Sequence, residues 1–183
     1  ALGRLRFKGE GLYRQFLLVT QMLSPIVLVI GIFRLMASLG LLDRLWSLVL
    51  TYGAFNLAFA VWMLQSYFAT IPKELEEAAW IDGASRTQAL TRVFLPMATP
   101  AMAVTGIFVF VYSWNEFVLA LTLLRSPENY TLPLRVFSLV GGAYRVDWDF
   151  VMAAALLATL PAAILFAWLQ RYLVGGLSLG AVK

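Results

Sequence analysis

Four long apolar runs, at residues 15–37, 46–69, 97–124 and 150–170, constrain this chain more than anything else in it, and only Arg34 and Glu116 carry charge within them. About 20 residues in a helix rise about 30 Å, the thickness of a bilayer's hydrocarbon core. Backbone N–H and C=O groups find no water there, so each run must satisfy them internally, as a helix does. The expectation is an all-α integral membrane protein with four transmembrane helices in one transmembrane domain over residues 1–183.

Composition agrees. The 183 residues are 61% hydrophobic and 13% charged, far too apolar for a soluble domain of that size. With no cysteine there is no disulfide framework and no thiolate nucleophile. With no histidine, the commonest general base and the commonest zinc ligand are missing too. The net charge of +4 is what basic flanks of membrane helices produce and does not call for nucleic acid.

Between the second and third runs lies one polar island, Ile71 to Pro96, reading IPKELEEAAWIDGASRTQALTRVFLP. Pro72 suits a first helical position. Glu74, Glu76 and Glu77 follow where a helix dipole favours acids. Gly83 is placed to end that helix in a left-handed cap. Ser85 with Gln88 has capping-box spacing for a second helix, and Pro96 marks its break. The island therefore reads as helix, glycine elbow, helix. A solvated loop that keeps its charges out of lipid is the simpler alternative.

Elsewhere, Ser24-Pro25 predicts a kink in the first run. Arg34 can snorkel to the headgroups. Asn56, Gln65 and Ser66 suit packing between helices. Glu116 is the one acid inside a run, and a charge at mid-membrane costs roughly 2.5–3.5 kcal/mol, less near an interface. It is either a carboxylate at the headgroup boundary or, with Asn115, part of a polar path. Residues 125–149 read as a loop, with a short interfacial helix near Leu132–Val140 ended by Gly141-Gly142.

Four spans put both termini and the island on one side. That side carries Arg4, Arg6, Lys8, Arg14, Lys73, Arg86, Arg92, Arg171 and Lys183; the other carries Arg34, Arg44, Arg125, Arg135 and Arg145. The excess of positive charge assigns the island to the cytoplasm and loop 125–149 to the outside. No GxxxxGK[ST] phosphate loop is present, so energy for any uphill transport must come from elsewhere.

The string Glu77-Ala78-Ala79-Trp80-Ile81-Asp82-Gly83-Ala84, with Leu95-Pro96 further on, resembles the EAA motif of ABC-importer permeases, and its Asp-Gly-Ala spelling is similar to the carbohydrate (maltose-permease-like) branch. The basic stretch Gly3–Gly9, the string Trp114-Asn115-Glu116-Phe117 and the tail from Gln170 to Lys183 also resemble sugar permeases. The resemblance implies a type I importer permease fold in a bacterial or archaeal cytoplasmic membrane. It implies that Glu77, Ala78, Ala79, Asp82, Gly83, Ala84, Leu95 and Pro96 form a coupling contact with an ATP-binding cassette subunit. It further implies a second, different permease chain and an extracytoplasmic solute-binding protein facing loop 125–149. The chain itself would bind no cofactor, ATP and Mg being used by the partner. Such permeases usually have about six spans, so four imply a chain truncated at its N-terminus. Rivals are an importer for a non-sugar solute, an ion-coupled carrier, which leaves the island unexplained, and an intramembrane enzyme, which lacks a paired acid and base.

Overall fold

The computed structural model describes residues 9–140 and 146–178. The basic stretch 1–8, the Gly141-Gly142 stop and the last five residues of the tail lie outside them. Every regular element among the described residues is helical. In chain order these are α1 (Glu10–Met22), α2 (Pro25–Ser38), α3 (Leu45–Thr70) and α4 (Glu74–Ile81). They continue as α5 (Arg86–Met97), α6 (Thr99–Asn115), α7 (Val118–Leu123), α8 (Leu132–Val140) and α9 (Trp148–Ser178).

Among the described residues, two helices are long and apolar enough to cross a membrane, Leu45–Thr70 and Trp148–Trp168. The broken pairs α1 with α2 and α5 with α6 raise this to four if each pair counts as one span. Breaks fall where the covalent chemistry puts them. Ser24 caps α2 through its side chain, accepting from the Ile26 amide at 3.4 Å, and Pro25 opens that helix. The run 97–124 is not the single helix expected from its apolarity. Its helix begins after a break at Ala98, two residues past the one Pro96 marks, then ends at Asn115 and restarts at Val118. Pro161 is carried inside α9 without ending it.

The chain divides into two compact units, residues 1–22 with 57–108, and 23–56 with 109–183. The core of the first is small: Ile71, Ala79, Ala89 and Phe94, with Tyr67, Phe68, Ala84 and Val93 packed around them. It joins the last turns of α3 to both helices of the island. The core of the second is Met36, Leu48, Leu119, Ala120, Leu123, Leu124 and Leu134, so α7 sits in its middle and α2, α3 and α8 surround it.

In that second unit Asp43 holds two loops together. Its φ is +58°, a left-handed conformation in which Asp is one of the few tolerated side chains. Its carboxylate accepts from the Arg125 and Ser126 amides, both at 2.9 Å, and from the Ser126 hydroxyl. Asn129 donates to its carbonyl at 2.6 Å, and its own amide donates to the Leu123 carbonyl at 2.8 Å. The Ser126 hydroxyl, then the Ser126 and Arg125 amides, hold the carboxyl well below the usual carboxylate range; Asn129 adds to this and desolvation opposes it.

Candidate functional site

The island is built as a rigid elbow. Helix α4 starts at Glu74, two residues later than Pro72 suggests; Lys73 is the N-cap, in helical conformation and without a side-chain cap bond. Three acids in the first turn then meet the positive end of the helix dipole. The other end closes as the glycine demands. Gly83 has φ +79°, its amide donates to the Trp80 carbonyl at 3.0 Å, and the Ala84 amide donates to the Ala79 carbonyl at 2.9 Å. These are the two crossed bonds of a Schellman ending, and Ala84 packs against the small core that contains Ala79.

Helix α5 follows two residues later with a complete capping box: Gln88 amide to Ser85 Oγ at 3.3 Å and Ser85 amide to Gln88 Oε1 at 2.8 Å. Its middle, Leu90–Phe94, is a π-turn in which the Leu95 amide reaches back to the Leu90 carbonyl. Pro96 accounts for it. The ring lacks an N–H and crowds the carbonyl four residues earlier, that of Arg92, so the preceding turn widens.

The two faces of the elbow differ. Ala79 and Ala89 are buried between the helices, and Ile71 and Phe94 close that core. Outward lie Glu77, Ala78, Trp80, Ile81, Asp82 and Gly83, with Ile81 86% and Trp80 47% exposed. Of the residues expected at the coupling contact, Ala79 therefore belongs to the elbow's interior and Ala84 is half-buried, whereas Glu77, Ala78, Asp82, Gly83, Leu95 and Pro96 are on the surface. Asp82 stands at the negative end of α4, where an acid is locally disfavoured. A surface charge placed against the dipole, beside two exposed large apolar side chains, suits contact with another molecule.

The second region is the break after α6. The four residues Trp114 to Phe117 point four ways. Trp114 donates from Nε1 to the Ala158 carbonyl of α9 at 3.0 Å and stacks on Phe110 at 5.3 Å between centroids. Asn115 is exposed, its amide donating to the Val111 carbonyl at 2.8 Å. Phe117 meets Phe137 edge-on at 5.0 Å. Glu116 accepts three bonds: Tyr52 hydroxyl at 2.7 Å, Leu119 amide at 2.9 Å and Ala120 amide at 3.2 Å. It caps the restarted helix α7 and fastens it to α3. Neither expected reading of Glu116, headgroup carboxylate or path lining, included this capping role. The signal was present in the spacing, an acid three and four residues before amides of an apolar turn, but an apolar run hides a helix start. One turn deeper, Asn56 donates to Ser113 Oγ at 3.3 Å, as expected for a packing amide.

Comparison with known proteins adds the following. Residues 1–178 match the family described as binding-protein-dependent transport system inner membrane component. A Streptomyces antibioticus protein designated ORF1 is 42% identical over 182 residues, covering all of this chain and 79% of that one. The diacetylchitobiose uptake system permease protein DasC of Streptomyces coelicolor is 39% identical, and the trehalose/maltose transport system permease protein MalG of Thermococcus litoralis 38%. Both alignments cover all of this chain but 66% of the relative, so the chain spans about two thirds of their length. Among solved structures, a bacterial ABC transporter involved in the import of the acidic polysaccharide alginate superposes with a TM-score of 0.70 at 25% identity, covering 93% of this chain and 64% of that one.

Proposed function

The chain belongs to the family of binding-protein-dependent transport system inner membrane components, and we propose that it is a permease subunit of an ATP-driven sugar importer. It forms part of the translocation path and receives the power stroke through the elbow at residues 71–96. The observation that carries this reading is the elbow itself. A Schellman ending, a capping box and a private core make it one solid piece, keyed through Tyr67, Phe68 and Ile71 to the end of α3. A loop that merely stayed out of lipid would need none of these.

Rigidity is what a mechanical coupling requires, because a rigid body passes on a partner's displacement. On this reading Glu77, Ala78, Asp82 and Gly83 touch an ATP-binding cassette subunit, with Trp80 and Ile81 as apolar anchors, and Leu95 and Pro96 carry the motion to α6. Small residues at Ala78 and Gly83 allow close backbone approach. ATP and Mg are bound by that partner. A second permease chain completes the path, Asn115 lines it, and an extracytoplasmic binding protein delivers the sugar to the side of loop 125–149. The diacetylchitobiose, trehalose and maltose systems of the relatives support an oligosaccharide as the solute.

The test is purification of the tagged full-length chain in mild detergent beside a Glu77→Lys, Gly83→Val variant. The expected result is that an ATPase subunit and a second permease accompany the wild type and that the variant loses the ATPase. Reconstituted complex should then import at least one of maltose, trehalose and diacetylchitobiose. A chain that purifies alone from membranes keeping other such complexes intact overturns the coupling reading. An intact complex that imports none of the three overturns the sugar assignment alone.

A further inference from the structure

We propose that Tyr67 is a positioning residue for energy coupling: its hydroxyl locks the end of α5, the second helix of the elbow, to the span α3, so that a displacement of the elbow reaches α6 instead of being absorbed at Ala98. This rests on the elbow being the coupling element.

Between α5 and α6 the chain turns through 67° at a break of a single residue, Ala98. Such a corner is the natural place for a push on the elbow to be lost, since the helical ladder does not run straight through it. Two prolines weaken the ladder further, because Pro96 and Pro100 offer no N–H. The corner is nevertheless tied. Ala98 is fully buried, and its amide donates to the Phe94 carbonyl at 2.9 Å. The Met97 carbonyl, the last of α5, takes a hydrogen bond at 2.9 Å from the Tyr67 hydroxyl, thirty residues away on α3. The ring of Tyr67 packs against the elbow core of Ile71, Ala79, Ala89 and Phe94. One side chain therefore touches the elbow with its face and the corner with its hydroxyl. Phenylalanine would fill the same space; tyrosine also supplies a donor to that main-chain carbonyl.

Tyr67→Phe removes the donor and keeps the ring, so it separates locking from packing. The chain has no cysteine, so Phe108→Cys, exposed on α6, can carry a bimane fluorophore in complexes whose partners lack reactive cysteines. The readout is the emission shift on adding ATP with vanadate, beside ATP hydrolysis by the same sample. The wild-type background should hydrolyse ATP and show a shift. Tyr67→Phe should keep the ATPase subunit and its hydrolysis while the shift falls by about two- to twelvefold, the range set by one neutral hydrogen bond. Hydrolysis and shift falling together would mean a merely structural role and overturn the proposal, as would an undiminished shift. Should Tyr67→Phe fail to assemble, Tyr67→Trp, which restores a ring N–H donor, must recover both assembly and shift; recovery of assembly with no shift, or of neither, also refutes it. A wild-type complex without any ATPase subunit refutes the functional reading on which the proposal stands, a result distinct from all of these.

Discussion

Gly83 shows how much one residue decides. A Cβ added there meets nothing within 4 Å, so space is not the issue. The cost comes from φ of +79°, which side chains other than Asn and Asp rarely adopt and which disfavours an L-residue by roughly 1–2 kcal/mol. Gly83→Val should therefore abolish uptake while leaving membrane insertion intact, and Gly83→Asn should retain most of it; transport assays beside a membrane-fraction blot check both. Asp43 is the counterpart on the other unit. Its folded carboxyl is held below its ordinary value, so its contribution is fully present above about pH 4 and is lost as pH falls through the depressed folded value. The thermal-unfolding gap between wild type and Asp43→Asn should stay constant from about pH 5 to 8 and close in strong acid. Glu116→Ala leaves the Leu119 and Ala120 amides and the Tyr52 hydroxyl without their acceptor. It should lower the melting temperature of the purified chain as well as transport; a change in transport alone would point to the path.

At the scale of the element, the elbow was the most legible part of the chain and the broken spans the least. Gly83, Ser85 and Gln88 are local devices: each makes its contact within a few residues, so spacing alone announces it. Ser85→Ala removes one of the two capping-box bonds and should destabilise α5 by about 1 kcal/mol, seen as faster amide exchange over residues 86–90. The first helix of the elbow was read two residues too early, because Pro72 fits a first turn chemically but the helix begins at Glu74, with Lys73 as its cap. Pro96 announced the break at Ala98 to within two residues, but the pause at Glu116–Phe117 could not be read in the same way. Hydropathy is the signal for a span, and around this pause only Asn115 and Glu116 interrupt it. What stops the helix at Asn115 is a set of long-range partners, Tyr52 for Glu116, Ala158 for Trp114 and Phe137 for Phe117. Asp43 was equally opaque, since its partners lie more than eighty residues downstream.

For the whole molecule, the distribution of Lys and Arg predicts that the elbow faces the cytoplasm and loop 125–149 the outside. A membrane-impermeant maleimide applied to intact cells should label Glu128→Cys and leave Asp82→Cys unlabelled until the membrane is opened; the reverse pattern would invert the topology. One further consequence follows from the outward face of the elbow. A copy of this subunit that finds no partner shows water a tryptophan and an isoleucine on a hard knob rather than on a floppy loop. Exposed apolar side chains are what chaperones and quality-control proteases grip. On the proposed assembly, the elbow makes unassembled copies conspicuous to the cell, and the supply of one subunit becomes answerable to the supply of the others.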